Sequence, residues 1–334
     1  MSEPRVAFVV IGRNEERNLA RCLAAVRAQG AGHEVVYVDS GSTDRSVEIA
    51  REAGVRVIVL DDPRPNAAKA RNAGWRAVED ADLVHFVDGD SVLEDGWLAR
   101  ALPAFADPTV GAVFGRFREM HPEASIYNRM ADLDWPAESG QVETFGGIVL
   151  VRRACLAATG GYDERLRVGE DPALALEIRR LGSRILQLDA PMALHDIDLH
   201  DFRSYWRRNV MVGWSLAEIA HRSRGHTVAA WRGRMARSLV VLAGGAAILV
   251  LGVLVSPWIL AGGILLAGLD LVRIARNNLR RAGNWAHALA YALHARAIVL
   301  PVTVGCLRWY RERPRAAPAT GACAGTTADR SARR

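Results

Sequence analysis

Leu83-Val84-His85-Phe86-Val87-Asp88-Gly89-Asp90 decides the architecture. Its first five residues form a largely apolar run without polar alternation, as expected of a strand covered on both faces. The run ends in two carboxylates separated by one glycine. Glycine lets the backbone turn, so Asp88 and Asp90 can face one point beyond the strand end, an arrangement that suits a hard divalent cation. On an exposed turn the same triplet would simply be solvated. Its place after a strand favours the cation.

Upstream, short apolar runs alternate with helical patterns. Val6–Ile11 reads as a strand, Glu15–Gln29 as a helix with Leu19, Cys22, Leu23 and Val26 on one face, and Glu34–Val38 as a second strand. Helix Ser42–Ala53, strand Arg56–Leu60 and helix Ala67–Val78 follow. This βαβα order predicts an α/β fold, Rossmann-like, with a mostly parallel sheet flanked by helices. Downstream, Gly96–Phe105 reads as helical and Val110–Phe117 as extended, whereas residues 119–145 read as an irregular loop or lid. Ile148–Val151 is a short strand, Asp171–Leu181 a helix and Arg184–Leu188 a final strand.

Charge divides the chain. Residues 1–200 carry 23 Lys/Arg against 32 Asp/Glu, and residues 201–334 carry 20 against 5. The acidic front half argues against nucleic acid as a partner, because phosphate contact needs clustered cations. The basic back half is interrupted by apolar runs and suggests an anionic membrane surface. Ser238–Leu269 runs 32 residues without a charge, and Ser256-Pro257 sits near its middle. That is longer than the ~20 residues of one crossing but short of two full crossings plus a turn. We read residues 238–272 as a membrane helical hairpin broken at Pro257; the alternative is a buried soluble hairpin. Arginines flank it on both sides (Arg222, Arg224, Arg232, Arg234, Arg237; then Arg273, Arg276, Arg280, Arg281), which places both ends in the cytoplasm.

The remaining organisation follows. Residues 1–210 form the α/β domain and 211–237 a basic amphipathic connector. Residues 273–311 hold an interfacial or third membrane helix, and 312–334 a disordered tail rich in Pro, Ala, Thr and Arg. The four cysteines (Cys22, Cys155, Cys306, Cys323) form no C-x-x-C pair and read as reduced thiols in a cytosolic domain. Val6–Ile11 lacks a charged n-region and cleavage site, so no signal peptide is read there.

An ordered series of motifs carries a resemblance: Val9-Val10-Ile11-Gly12-Arg13-Asn14-Glu15-Glu16, Asp39-Ser40-Gly41-Ser42-Thr43-Asp44, Lys69-Ala70-Arg71-Asn72-Ala73-Gly74, Asp88-Gly89-Asp90, Phe145-Gly146-Gly147, Gly160-Gly161-Tyr162-Asp163 and Gly169-Glu170-Asp171. Each is common alone. The set resembles a family-2 glycosyltransferase of the GT-A fold, membrane-anchored and of bacterial type, over roughly residues 4–210. The resemblance implies that Asn14, Glu15 and Asp39 hold the nucleotide base and ribose. It implies that Asp90 is a direct metal ligand with Asp88 nearer the ribose and metal-bound water, that a histidine such as His195 completes the shell, and that Asp171 is the base.

The residues permit these roles and others. Asn14-Glu15 also suits helix capping, and Asp44 suits a cap or loop role. The chain has no G-x-x-x-x-G-K-[ST] loop, so a diphosphate needs a metal and cations. Lys69 and Arg71 stand where they can reach phosphates or sugar, or else lie on the surface. Oxygen ligands with one imidazole suit Mn²⁺, with Mg²⁺ as the competitor. Asp171, beside Glu170, either takes a proton from an acceptor hydroxyl or caps a helix before Pro172. Gly146 and Gly147 permit close backbone approach to a sugar. Asp163 touches the acceptor or holds its loop. Trp206-Arg207-Arg208 falls where processive relatives carry Q-x-x-R-W, but the glutamine is missing and the order differs, which speaks against processive polymerisation; its arginines suit contact with diphosphate or lipid headgroups.

The expected function is inverting, metal-dependent transfer from a nucleotide-diphospho-sugar to a lipid-linked or membrane-proximal glycan acceptor, at the cytoplasmic face of the cell membrane. A polyprenyl-phosphate glycosyltransferase is the near alternative. A non-catalytic membrane-tethered adaptor that binds nucleotide sugar is the distant one.

Overall fold

The computed structural model describes residues 4–135, 139–222 and 229–313. In chain order the elements are β1 (Val6–Gly12), α1 (Leu19–Ala28), β2 (Glu34–Asp39), α2 (Ser46–Glu52), β3 (Arg56–Val59), α3 (Ala67–Ala77), β4 (Leu83–Asp88), β5 (Ser91–Leu93), α4 (Trp97–Ala101), β6 (Val110–Glu119), α5 (Ile126–Asp134), β7 (Gly140–Val142), β8 (Val149–Arg152), α6 (Arg153–Thr159), α7 (Glu170–Arg180) and β9 (Arg184–His195). The helices α8 (Phe202–Arg222), α9 (Ala229–Leu254), α10 (Pro257–Ala282), α11 (Trp285–Ala297) and α12 (Val299–Glu312) complete the chain.

The described strands form one nine-stranded sheet in the order β3-β2-β1-β4-β8-β6-β9-β5, with β7 paired to β9 off that path. The first four strands are parallel and end together: Gly12 lies beside Asp39 in register, and Ile11 beside Asp88. Beyond β4 the sheet turns mixed, because β8 runs antiparallel to both β4 and β6. Phe8, Val9, Val10, Tyr37, Val38, Val84, Phe86 and Val87 are fully buried, as their unalternated runs require. Each such side chain contributes roughly 1.5–3 kcal/mol by leaving water. The polar exception is His85, also fully buried. Its Nε2 accepts from Trp97 Nε1 at 2.7 Å and its ring stacks on Phe8; burial pulls its pKa down to about 4, so it stays neutral.

Several boundaries differ from expectation. The first helix begins at Leu19, so Asn14 and Glu15 precede it and do not cap it. Residues 119–145 hold α5 and β7. The last strand runs to His195, through Asp189 and Pro191, because it pairs with β6 and turns past the irregularities between Phe114 and Phe117. The boundary drawn at residue 210 falls inside α8. The tail from 314, and the connector around 223–228 with Arg224, lie outside the described residues.

The C-terminal helices break where proline dictates: Ser256 separates α9 from α10, and Pro257 opens α10. Two segments among the described residues are long and apolar enough to cross a membrane, Pro257–Ala282 and Trp285–Glu312. The first is almost entirely exposed, whereas a third of the second is buried. The apolar part of α9, Leu239–Leu254, is shorter. Helix α12 lies against α8 so closely that a Cβ on Gly213 or on Gly305 would collide with backbone of the facing helix, at Val302 and Val210 respectively. Helix α11 is fastened by His294, whose Nε2 pairs with Asp134 of α5 at 2.6 Å and whose Nδ1 meets the Tyr205 hydroxyl at 2.9 Å.

Candidate active site

A cavity of about 750 Å³ opens at the C-terminal ends of β1, β2 and β4, where open α/β sheets place their ligands. Glu15, Arg71, Asp88, Asp90, Gly146, Gly147, Glu170, Asp171 and His195 all line it. These come from six separate stretches of chain, brought to one rim by the sheet order.

Arg71 organises the floor. Helix α3 is capped at Asn66, which accepts from the Lys69 N–H at 2.8 Å, and one turn later projects Arg71 inward, only 3 % exposed. Its Nη2 donates to Asp88 Oδ1 at 2.9 Å and its Nη1 to Glu170 Oε1 at 2.9 Å. Asp171 Oδ1 lies 3.3 Å from the same Nη1. The guanidinium is aligned on Glu170, which leaves that Asp171 oxygen buried without a hydrogen bond. One fork thus joins the carboxylate ending β4 to the carboxylates opening α7. Gly147 is required for the clamp, because a Cβ there would strike both Asp88 and the Arg71 guanidinium.

Asp88, Asp90 and His195 form the second cluster, with one ligand atom of each lying within 4.8 Å of the others. His195 Nε2 is 3.5 Å from Asp90 Oδ2, while His195 Nδ1 is buried with no hydrogen-bond partner. Strand β5 brings this about by pairing Ser91 with His195. Two carboxylates and an under-committed imidazole fit a Mn²⁺ or Mg²⁺ ion in ligand type.

Concentrated negative charge shifts the carboxyls. Burial, aided by Asp90 and Asp88, pushes Glu15 up to about 8. Burial also pushes Asp171 up to about 8; Arg71 opposes this and Glu170 and Asp88 add to it. Asp90 is raised by burial, with His195 pulling it back. A cation would relieve the repulsion that Glu15 and Asp90 feel.

Three expected binders stand behind or beside the cavity. Asp39 is buried and saturated: Oδ2 accepts from the N–H groups of Gly41 and Ser42 (2.9 and 2.8 Å), and Oδ1 from the hydroxyls of Ser42 and Tyr37 (2.5 and 3.2 Å). Asn14, at φ +60°, accepts from the Thr43 N–H at 2.8 Å and so ties the β1 loop to the β2 loop. Lys69 is held by Asp62 at 2.6 Å and by the Arg64 carbonyl at 2.9 Å. Asp44 accepts from the Ser46 N–H and hydroxyl, the loop role read for it. Asp163 is engaged by Arg165 and Arg222.

Of two further lining residues, Trp135 had been given no site role, and Arg208 had been read with Arg207 as a contact for diphosphate or lipid headgroups. Trp135, just after α5, packs edge-on against His195 with ring centroids 5.8 Å apart. Its only sequence signal was its place after the Met130–Leu133 apolar spacing. Arg208, the last residue of the Trp206-Arg207-Arg208 triplet, reaches the cavity from α8.

Residues 7–148 match the profile of Glycosyl transferase family 2. An uncharacterised glycosyltransferase of Mycobacterium bovis is 32 % identical over 205 residues, which cover 57 % of this chain and 85 % of that one. The chain belongs to glycosyl transferase family 2. A second relative, the pre-mycofactocin glycosyltransferase of Mycobacterium tuberculosis, is 28 % identical over 233 residues, covering 65 % of this chain and 48 % of its own length. The chain therefore spans about half the length of that curated relative. Likeness of fold to one solved structure extends through the C-terminal helices. The mannosyltransferase PcManGT from Pyrobaculum calidifontis, solved with GDP-Man and Mn²⁺, superposes with a TM-score of 0.72 at 20 % identity, covering 94 % of this chain and 89 % of that one. The architecture is GT-A: a mostly parallel mixed sheet flanked by helices, followed by apolar helices that are candidate membrane segments.

Proposed function

We propose that this family-2 protein transfers a sugar from a nucleotide-diphospho-sugar to a hydroxyl of a lipid-linked or membrane-proximal glycan, in one step with inversion. The Arg71 clamp carries this reading, because it fixes the Asp88 carboxylate and the Asp171 carboxyl on opposite arms of one rigid group inside one cavity. Asp88, Asp90 and His195 would hold a divalent ion, which supplies Lewis-acid charge to the diphosphate leaving group when bound.

This chain's residues do the rest. Glu15 lines the cavity at the end of β1, on the side where the nucleoside would lie, and the Gly146-Gly147 backbone admits the sugar closely. The acceptor oxygen forms the new bond to the anomeric carbon while the bond from that carbon to phosphate breaks, and the nucleoside diphosphate departs. Asp171, which lines the cavity, receives the acceptor's proton on its carboxylate. A pKa near 8 makes it a stronger base than an ordinary aspartate once ionised. The apolar helices tether the cavity to the cytoplasmic face of the membrane, with Arg273, Arg276, Arg280 and Arg281 on that side.

Turnover of a panel of UDP-, GDP- and dTDP-sugars with Mn²⁺ tests the reading. Asp171→Asn should lose transfer while keeping nucleotide affinity; wild-type turnover by that variant would remove the base assignment. A mild loss would instead favour a polyprenyl-phosphate acceptor, which needs little help in losing a proton. Metal-dependent turnover that disappears in Asp90→Ala excludes a non-catalytic adaptor.

A further inference from the structure

A histidine that ligates a metal ordinarily donates its second ring N–H to a carboxylate or carbonyl, and that bond fixes the ring's orientation. His195 has no such support: its Nδ1 is buried without a partner. What meets the ring instead is Trp135, edge-on, with centroids 5.8 Å apart and planes at 89°. Phe117 packs on the indole in turn, at 5.7 Å. Trp135 ends α5 with an extended backbone, φ −66° and ψ 134°, so the helix itself does not hold it. The hold comes from the tail. Arg281 of α10 donates from Nη2 to the Trp135 carbonyl at 3.0 Å. Asp134, one residue earlier, pairs with His294 of α11, whose other ring nitrogen meets the Tyr205 hydroxyl of α8 at 2.9 Å. Met130 and Leu133 of α5 are buried with Ala275 and Ala282 of α10 and Ala288 and Ala292 of α11, small side chains that let the helices close on α5.

We propose that Trp135 is a positioning residue whose packing sets the His195 imidazole toward Asp88 and Asp90, and that Arg281 and His294 keep Trp135 in place, so the C-terminal helices complete the metal-binding site from outside the α/β domain. The proposal rests on the reading of Asp88, Asp90 and His195 as holders of a divalent ion. A ring set by packing, with no hydrogen bond on its second nitrogen, loosens when the packing goes. Trp135 and Arg281 bring no ligand atom of their own, because indole N–H and guanidinium groups only donate. Their influence on the ion passes through His195. By charge alone, removing the Arg281 cation would strengthen binding of a second cation. Loss of its grip on Trp135 has the opposite sign, which separates the two effects.

The test titrates Mn²⁺ into the full chain in phosphatidylcholine nanodiscs, without donor or acceptor, and reads free Mn²⁺ by electron paramagnetic resonance. His195→Ala should weaken binding about 100-fold. Trp135→Ala and Arg281→Met should each weaken it about 10-fold, and His294→Leu by a similar factor. Trp135→Phe, which keeps an aromatic edge, should stay within about twofold of the wild type, and Arg281→Lys, which keeps a donor, should recover most of the loss. In the His195→Ala background Trp135→Ala should cost nothing further, because the two act as one unit. Wild-type affinity in Trp135→Ala, or an undiminished loss in the His195→Ala background, would overturn the positioning role. Unchanged or tighter binding in Arg281→Met would overturn the part given to the tail helices; Arg281 is exposed, so that variant decides even where His294→Leu fails to fold. Unchanged binding in His195→Ala would instead overturn the reading of the ion's holders on which the proposal depends.

Discussion

The acidic loops after β2 and β4 start from the same ingredients and end differently. After β2, every carboxylate oxygen of Asp39 accepts a hydrogen bond from its own loop or from Tyr37, and Asp44 is likewise used by Ser46 and by the Glu16 N–H. After β4, Asp90 accepts from the Ser91 hydroxyl at 3.1 Å and lies 3.5 Å from His195 Nε2, and Asp88 meets the Arg71 guanidinium on one oxygen. Carboxylates saturated by the chain build the rim. Those left short of donors face the cavity and have capacity for a ligand.

The strongest test of this division removes the cation that both sides of the cavity share. Arg71→Leu leaves Asp88, Glu170 and Asp171 facing one another in a partly dry site. It should destabilise the protein by about 3–5 kcal/mol, read as a lowered thermal midpoint. Asp90→Ala should keep the midpoint but lower turnover by about 10²–10³ and abolish the midpoint rise on adding Mn²⁺. Asp39→Asn should do the reverse, costing about 1–3 kcal/mol while the Mn²⁺ response persists. Loss of that response in Asp39→Asn would erase the distinction between the loops.

Acidity sharpens the same contrast. Glu15 and Asp171 ionise near 8 in the folded chain against 4.5 and 3.8 ordinarily, so their contribution to stability is full at low pH and falls as pH rises toward 8. Metal-free protein should melt at a higher temperature at pH 6 than at pH 8.5. In a pH series kcat/KM should climb through neutrality and level above about pH 8, because Asp171 must be ionised to accept a proton. A flat profile across that range would detach Asp171 from the rate. The smallest effect belongs to Lys69→Met. With its ammonium already on Asp62 and the Arg64 carbonyl, donor affinity should change less than about twofold by titration.

Much of this was readable in the chain. Unalternated runs such as Val6–Ile11 and Leu83–Val87 mark covered strands, and glycine between Asp88 and Asp90 marks the turn that aims them. Asp88, Asp90, His195, Glu170 and Asp171 were all legible by residue type and place. Their convergence was not, since Arg71 meets Glu170 across 99 residues, and no local pattern encodes such a distance. Strand β5, three residues long, is too short for periodicity to register. Asp189 and Pro191 hid the second half of β9 by interrupting its apolar run. Asp39 was legible as a strand-end acid, yet its commitment to Gly41 and Ser42 emerges only once the loop is closed.

The contact between α8 and α12 has a practical corollary. Gly213 and Gly305 let two backbones touch, and Leu216, Ile219, Cys306 and Trp309 fill the space beside them. A shortened version ending after β9 would lack α8 and every helix behind it. One ending at Arg222 would bare that greasy seam to water. Efforts to obtain a freely soluble enzyme by deleting the tail helices should therefore yield aggregates, and detergent or lipid carriers that keep α12 seated are the workable route to crystals and assays.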